Sequence, residues 1–444
     1  MPFDGDTSAA PSVSMEDLLG FSSFGKRKRT PPATASSKGS RVTYAPEPIQ
    51  FICPTTRLDL DALRNLLHAD RGVSNDADVP TQHSMCPTPL ERSHFSMQKL
   101  LDMKSQLHQA NLPADVYRTS RAVANPYECI GKWKFVNRSA MKMAEMDARM
   151  SLLPQVDAVS FVDLCGAPGG FSEYLVFKAA SRRQDIAGQG ISIRVPGNPH
   201  LDWHLSDDMK RVMSISYGAD DTGNLYIQDN MDDFTQRVLA AHPHGVDVVA
   251  ADGGFQDARN QSDQEERMHR LVLCEILTMC RVLTPGGHFV CKTFELSTAF
   301  SARLLFLLHH LFEELAIVKP ITSRPASSER YIVGRQWRYF QPACIIDYLG
   351  AINASFERQV FVENYATLDA AWKQDEAFAT FVEESATEFA SRQTQAIERI
   401  LAVADNDDGR QVSSRRMPDN TRVDRNDVLH AWGLVAPPND VKRQ

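Results

Sequence analysis

The stretch that most constrains the fold is Phe161–Tyr174, which reads FVDLCGAPGGFSEY. It continues an apolar run that begins at Val159, as expected of a buried strand. Gly166, Gly169 and Gly170 follow, and residues without a Cβ allow a sharp turn and a close approach of the backbone to a ligand. Apolar residues then recur at helical spacing. A strand, a glycine-rich turn and a helix N-terminus predict a site for a polar or anionic ligand at the end of a parallel sheet.

A plain packing turn and a nicotinamide site are the alternatives for this stretch. The nicotinamide pattern requires G-x-G-x-x-G and an acidic residue roughly 20 residues further along the chain. Here the glycines are spaced G-A-P-G-G, and the next strand-like run, Ile191–Val195, contains no acidic residue. Arg194 would suit a phosphorylated nicotinamide cofactor, which leaves that alternative open.

The stretch more closely resembles motif I of the class I S-adenosylmethionine (SAM) methyltransferases. D-L-C-G-A-P-G-G-F-S is similar to the FtsJ-type 2'-O-ribose methyltransferases in particular. The resemblance implies SAM as the cofactor. Asp229 follows a strand candidate and is expected to contact the adenosine, or alternatively to cap the next helix. The implied cofactor-binding residues are Asn137, Cys165, Gly166, Ala167, Pro168, Gly169, Gly170, Phe171 and Asp229.

Strand and helix patterns alternate from residue 160 onwards, which favours an α/β fold with a doubly wound, mostly parallel sheet. The last two strand candidates have no helix between them, so we expect them to pair as an antiparallel hairpin. A seven-stranded sheet of this kind, with helices on both faces, resembles the Rossmann-like fold of class I SAM methyltransferases. The predicted strands are residues 160–164, 191–195, 224–227, 246–251, 287–293, 315–319 and 330–334.

The composition changes on either side of this alternating region. The catalytic domain is expected to span residues 125–350, and Ser139 is a plausible N-cap for a helix over Ala140–Met150. Helical patterns before and after it predict N- and C-terminal extensions. We expect a disordered tail at 1–45, a helical extension at 46–124, a second helical extension at 351–405 and a polar tail at 406–444.

The basic cluster Lys26–Arg29 is interpreted as a nuclear localisation signal for an import receptor, with a phosphate-binding arm as the alternative. We therefore expect a nuclear protein. The formal net charge is −8, so nucleic acid would have to bind through local basic patches.

No apolar run reaches membrane-spanning length and no signal peptide is recognisable, so we expect a soluble protein without a membrane partner. The 8 cysteines include no C-x-x-C pair, which argues against zinc and favours free thiols in a reducing compartment. No metal site is expected.

Four charged residues lie at or beside predicted strand ends, where ligands bind in open α/β sheets. Asp252 follows VDVVAA, Lys292 lies near the end of GGHFVCKTF, Glu329 precedes RYIV and Lys142 lies on the helix that leads into the domain. Singly, Lys142 and Glu329 would be solvated surface charges and Asp252 a turn former. A lysine in an apolar strand, however, needs an ionic partner or a function. In order, the four resemble the K-D-K-E tetrad of FtsJ-type 2'-O-methyltransferases.

That resemblance implies removal of a proton from a ribose 2'-hydroxyl, which is a poor nucleophile while it is protonated. A lysine is a poor base while its pKa stays near ~10.4, and a second cation together with burial lowers it. We expect Lys292 to accept the proton and Lys142 to favour its neutral amine. Asp252 and Glu329 are expected to orient the amines, although as anions they oppose the lowering of the pKa.

A narrower resemblance concerns the substrate. A-D-G-G-F at 251–255, K-P-I-T-S-R-P-A-S-S-E-R-Y-I-V at 319–333 and N-P-Y-E at 125–128 are similar to the eukaryotic cap-specific mRNA (nucleoside-2'-O-)-methyltransferase 1 family. The resemblance extends over residues 104–349 or so. It implies methylation of the first transcribed nucleotide of m7G-capped RNA, which gives cap 1. The RNA contacts that it implies are Lys104, Arg121, Ser262, Gln264 and Ser327.

Two other functions stay open at this point. One is 2'-O-methylation of another RNA, such as small nuclear, ribosomal or transfer RNA, or of another cap position. The other is a non-catalytic RNA-binding scaffold, which the intact K-D-K-E set argues against. The chain also lacks a recognisable G-patch or WW domain, both found in animal relatives, so recruitment to polymerase through those modules is not implied.

Overall fold

The computed structural model describes residues 43–71, 94–195, 197–254, 263–358, 365–405 and 422–435. The basic cluster Lys26–Arg29, Ser262, residues 1–42 and most of the tail predicted at 406–444 lie outside these residues. No helix in the described ranges is both long and apolar enough to span a membrane.

One eight-stranded sheet forms the centre of the catalytic domain, in the order β1-β7-β8-β6-β5-β2-β3-β4. The neighbouring pairs among β6, β5, β2, β3 and β4 are parallel, whereas β8 runs antiparallel to both β6 and β7. The expected antiparallel hairpin at the end of the domain is therefore confirmed. The strands are β1 (Phe51–Ile52), β2 (Ala158–Leu164), β3 (Asp185–Ile191), β4 (Met213–Ser216), β5 (Val246–Ala251), β6 (Leu283–Thr293), β7 (Phe312–Val318) and β8 (Arg330–Trp337).

Two of the predicted strands are wrong. The strand expected at 191–195 lies earlier, at β3, where Gly188 and Gly190 weaken the sequence pattern typical of a strand. Their missing side chains leave room for two rings, because a Cβ would come within 2.3 Å of Phe161 and 2.6 Å of Trp203. Residues 224–227 form a turn. The edge strand β4 lies earlier in the chain, in a polar segment that lacks the apolar pattern typical of a strand.

The apolar side chains of the helices make cores on both faces of the sheet. One core includes side chains of α1, α7, α8, α9, α10 and α11, and the other those of α4, α5 and α13. The helices are α1 (Leu60–Arg71), α2 (His94–Gln109), α3 (Ala114–Ala124), α4 (Ser139–Met150), α5 (Gly170–Arg182), α6 (Asp207–Val212), α7 (Gln228–Ala241), α8 (Gln264–Val282), α9 (Ala299–Leu311), α10 (Ala343–Arg358), α11 (Ala366–Gln374), α12 (Glu376–Asp405) and α13 (Arg425–Ala431).

The helices before and after the domain pack against each other. Leu100 and Met103 of α2 form a small buried cluster with Ala390 and Ile397 of α12. The two predicted helical extensions are thus helical, and they meet beside the sheet. The predicted domain boundaries themselves stay a prediction.

Phe289 allows a test of the sheet core. Its side chain in β6 is fully buried and stacks on Phe312 with ring centroids 6.4 Å apart. We expect Phe289→Ala to lower the free energy of unfolding by about 3–5 kcal/mol, because it removes buried area and leaves a cavity. Phe95 is 81% exposed, so Phe95→Ala should leave the melting temperature nearly unchanged. Equal melting temperatures for the two variants would contradict this assignment of the core.

Candidate active site

Three neighbouring parallel strands carry the predicted site residues to one edge of the sheet. Asp252 follows β5 directly, and Lys292 is the penultimate residue of β6, which pairs with β5. The glycine-rich turn follows β2 on the other side of β5. Glu329 immediately precedes β8, and Lys142 lies on α4, so the structure brings all four charged residues together.

The four charges form two linked ion pairs. Lys292 Nζ lies 3.3 Å from Asp252 Oδ1 and donates a hydrogen bond of 2.7 Å to the Asp252 backbone oxygen. Lys142 Nζ lies 2.8 Å from Glu329 Oε1. These side chains are 11–19% exposed, so the pairs are largely shielded from solvent while the ammonium groups stay within reach of a substrate.

Three hydroxyl groups that sequence analysis did not assign to the site hold the two carboxylates. Ser139 Oγ donates to Asp252 Oδ2 at 2.6 Å, and Tyr331 OH donates to Asp252 Oδ1 at 2.7 Å. Lys142 Nζ also lies 3.2 Å from Tyr331 OH, which joins the two ion pairs. Ser323 Oγ donates to Glu329 Oε1 at 2.8 Å.

Ser139 does not have the predicted role of an N-cap. The helix begins at Ser139 itself, and its N-cap residue Arg138 makes no side-chain cap hydrogen bond. The Ser139 hydroxyl donates to Asp252 instead, because a buried carboxylate gains strongly from a short hydrogen bond.

The electrostatics of the site differ from the sequence-based expectation for Lys292. Burial disfavours its charged form, but the carboxylates of Asp252 and Glu329 outweigh burial and raise the pKa of Lys292. The expectation that a second cation and burial would lower the pKa of Lys292 overall is wrong for this arrangement. For Asp252, burial opposes ionisation, yet the ammonium groups of Lys292 and Lys142 hold its pKa well below the usual range. Lys142 and Lys292 likewise lower the pKa of Glu329 against the effect of burial.

The glycine-rich turn has the shape of a cofactor cradle. A Cβ on Gly166 would lie 2.4 Å from Cγ of Asp163, and Gly169 adopts a positive φ of 107°. Helix α5 then begins at Gly170, and its N-cap residue Gly169 has no side chain that could cap it. The residues of the turn therefore fit SAM, because glycines allow the backbone and the helix N-terminus to approach a ligand closely.

Asp163 is a buried residue near the end of β2, just before this turn, that sequence analysis did not assign. Its Oδ2 accepts hydrogen bonds from Ser172 Oγ at 2.5 Å and from the Ser172 N–H at 3.2 Å. Burial raises the pKa of Asp163 to about 7. The carboxyl group thus fixes the start of α5 from beneath the turn.

The two other predicted cofactor residues are placed differently. Asn137 lies against the turn, because a Cβ on Gly170 would be 2.1 Å from its Oδ1, and that oxygen accepts the N–H of Ser139 at 2.9 Å. Asp229 is exposed in the first turn of α7, where it does not act as the N-cap. An aromatic contact joins the glycine-rich turn to the charged tetrad: the ring centroids of Phe171 and Tyr331 lie 6.0 Å apart.

The connection 319–329 that carries Glu329 is held from several directions. Lys319 Nζ donates to the backbone oxygens of Ser327 and Glu329 at 2.6 and 2.8 Å. The Ile321 N–H donates to the Glu145 carboxyl at 2.9 and 3.1 Å. Gln393 of α12 donates to the Ala326 backbone oxygen at 3.0 Å.

The predicted RNA contacts are dispersed, and several already have partners. Lys104 of α2 forms an ion pair of 2.7 Å with Glu295 and bonds Ser328 Oγ at 3.0 Å. Arg121 lies 3.8 Å from the carboxylate of Glu128. Gln264 is 6% exposed at the start of α8, and Ser327 is half-buried in the connection 319–329. Ser262 lies outside the described residues. These positions stay predictions.

Comparison with known proteins agrees with this geometry. The sequence model of the FtsJ-like methyltransferase family matches residues 135–337. Cap-specific mRNA (nucleoside-2'-O-)-methyltransferase 1 of Dictyostelium discoideum is 34% identical over 287 residues, covering 59% of this chain and 38% of that protein. The Homo sapiens protein of the same name is 32% identical over 344 residues, covering 73% of this chain and 40% of its own length.

The matched region, the strand order and the glycine-rich turn together indicate the class. Residues 135–337 match the FtsJ-like methyltransferases, and this match implies SAM as the methyl donor. The two curated relatives are both named cap-specific mRNA (nucleoside-2'-O-)-methyltransferase 1. The chain spans about two fifths of the length of these curated relatives.

Tyr331→Phe tests the link between the ion pairs. The change removes the hydroxyl that bonds Asp252 and Lys142 but keeps the ring that packs on Phe171, so we expect kcat for methyl transfer to fall roughly tenfold. Single-turnover kinetics measures this. Tyr339→Phe is the matched control, because the Tyr339 hydroxyl has no hydrogen-bond partner in the described ranges. A full rate for Tyr331→Phe would show that the hydroxyl is dispensable.

Gly166→Ala tests the cofactor cradle. The added methyl group would collide with the Asp163 carboxyl and push the turn outward, so we expect SAM to bind at least about tenfold more weakly. Isothermal titration calorimetry with SAM measures the affinity. Gly350→Ala is the control, because nothing lies within 4 Å of a Cβ at that position. Unchanged affinity in Gly166→Ala would mean that SAM does not bind along this turn.

Proposed function

We propose that this protein transfers the methyl group of SAM to the ribose 2'-hydroxyl of the first transcribed nucleotide of m7G-capped RNA. The observation that carries the proposal is the position of the Lys292–Asp252 and Lys142–Glu329 pairs directly beside a glycine-rich cradle that fits SAM. The substrate is supported by the relatives, whose names specify mRNA caps and the nucleoside 2'-O position.

When bound, SAM supplies an electrophilic methyl group and a positive sulfonium that disfavours a second cation close to it. Lys292 is the proton acceptor in this proposal, because its Nζ is fixed on two sides by the backbone oxygen and the carboxylate of Asp252. The neutral Lys292 amine would accept the proton of the 2'-oxygen as that oxygen bonds to the methyl carbon, and S-adenosylhomocysteine would leave with the electron pair of the broken carbon–sulfur bond. Asp252 and Glu329 then stabilise the resulting ammonium.

The raised pKa of Lys292 has two opposing effects on this step. It makes the neutral amine scarce at neutral pH, and it makes that amine a stronger base once formed. Lys142, bridged by Tyr331 to Asp252, faces the same carboxylate and is proposed to bind the 2'-oxygen as a hydrogen-bond donor. Glu329 fixes Lys142 in that position.

The site of action in the cell is a separate part of the proposal. The basic cluster Lys26–Arg29 supports nuclear import, and capped transcripts would be met there. An RNA substrate other than mRNA, or another cap position, is compatible with the same tetrad, so the choice of RNA has to be tested directly.

The substrate is tested with labelled SAM and three RNAs of one sequence: m7G-capped, G-capped and uncapped. We expect the label at the 2'-oxygen of the first nucleotide of the m7G-capped RNA alone, located by nuclease digestion and chromatography. Equal labelling of the uncapped RNA would keep the chemistry and overturn the cap as the substrate. Binding of SAM without transfer to any RNA would favour the scaffold alternative.

Lys292→Met tests the proton acceptor. The substitution keeps the length of the apolar stem and removes the amine, so we expect kcat to fall by about 10²–10⁴-fold while SAM affinity changes little. Lys210→Met on the exposed face of α6 is the control and should transfer normally. If Lys292→Met retained the full rate on a substrate methylated by the unmodified protein, another group would have to accept the proton.

A further inference from the structure

Helix α8 carries a carboxyl group to the back of the site that the mechanism above does not use. The Glu275 side chain is 0% exposed, and its Oε2 accepts a hydrogen bond from Cys291 Sγ at 3.3 Å. Its Oε1 makes no hydrogen bond of full geometry within the described part of the chain, and the Cys165 thiol is a further weak partner of the carboxyl group. A buried carboxylate held only by weak thiol donors is costly, so this arrangement favours the protonated form.

The carboxyl group lies where three strand ends meet. A Cβ on Gly253, the second residue after β5, would lie 2.3 Å from Glu275 Oε1 and 3.1 Å from Cβ of Cys165, which follows β2. A Cβ on the next residue, Gly254, would lie 3.0 Å from Lys292 Nζ. Glu275 and Lys292 therefore occupy the space of two adjacent missing side chains in one turn. Neither Gly253 nor Gly254 has a side chain that could screen the carboxyl from the ammonium.

The neighbours of Glu275 come from every element around it. Lys292 and Cys291 face it from β6, Asp252 and Cys165 from the ends of β5 and β2, and Cys274 from its own helix. The charge of Glu275 also contributes to the raised pKa of Tyr226. Burial raises the pKa of Glu275 to about 7, and the Lys292 ammonium opposes that rise. Lys292 in turn is held charged by Asp252, Glu329 and Glu275, in that order.

We propose that the charge of Glu275 controls the basicity of Lys292. When Glu275 is neutral, only the carboxylates of Asp252 and Glu329 stabilise the Lys292 ammonium. When Glu275 is ionised, it is a third anion near Lys292 and makes loss of the lysine proton harder. Glu275 touches neither substrate nor cofactor in this proposal and acts through Lys292. The inference rests on the proposed function, since it concerns the residue assigned there as the proton acceptor.

The consequence is a specific pH dependence. The rate is expected to rise with pH as Lys292 loses its proton, and Glu275 is already ionised over that range. Glu275→Gln keeps the shape of the side chain and removes the anion, so we expect the midpoint of that rise to move to lower pH by about one unit. Single-turnover transfer to m7G-capped RNA, measured across the pH range with saturating SAM, gives the midpoint.

The control is Asp247→Asn, which neutralises a half-buried carboxylate of β5 bonded to Ser160 at 2.8 Å. It should leave the midpoint in place even if it lowers stability or rate. An unmoved midpoint in Glu275→Gln, whether or not the rate falls uniformly, would overturn the proposal, because a merely structural role changes the amplitude alone.

A second measurement does not depend on activity. The folded state holds a proton on Glu275 that the unfolded state releases near pH 4.5, so this group lowers the stability of the protein as the pH rises towards about 7. We expect the melting temperature of Glu275→Gln, relative to that of the unmodified protein, to increase as the pH rises over this range. Identical pH dependence would overturn the assignment of Glu275 as a titrating group. Failure of transfer to every RNA, with this gain present, would instead count against the proposed function.

Discussion

The site depends on the alternation of charge among Lys292, Asp252, Lys142 and Glu329. Two cations and two anions are withdrawn from water together, which is tolerated only because each carboxylate has an ammonium and at least one hydroxyl as partners. Removing one charge would leave an uncompensated ion in a region of low dielectric. The four charged side chains therefore act as a single unit. The hydroxyls of Ser139, Tyr331 and Ser323 donate hydrogen bonds to its carboxylates and offset part of the free energy lost when these are removed from water.

Glycines in the two functional turns complement buried polar groups. Gly166 makes room for the Asp163 carboxyl, Gly170 for the Asn137 amide and Gly253 for the Glu275 carboxyl. Each turn is thus shaped both by the ligand it can approach and by an acid or amide beneath it. Substitution at any of these glycines would disturb a polar group as well as the backbone.

The sequence predicted the parts of the fold that depend on strong local patterns. The strands leading to Gly166, Asp252 and Lys292 are apolar runs next to turn residues, and the structure has each of them. β3 could not be predicted in place, because its glycines are explained by rings packed from elsewhere in the fold. Glu275 gave no signal either: on a helix it is one acid among many, and its burial beneath Gly253 depends on the packing of α8 against the sheet.

The connection 319–329 gives the helical extensions a role in the architecture of the site. Gln393 of α12 bonds Ala326 and Ser328, and Lys104 of α2 meets Ser328 and Glu295 at the same place. The loop that presents Glu329 is thus braced by one side chain 224 residues before Ser328 in the chain and another 67 residues after Ala326. A fragment trimmed to residues 135–337 would keep all four members of the tetrad and the loop contacts of Lys319 and Glu145, but it would lose the contacts made by α2 and α12.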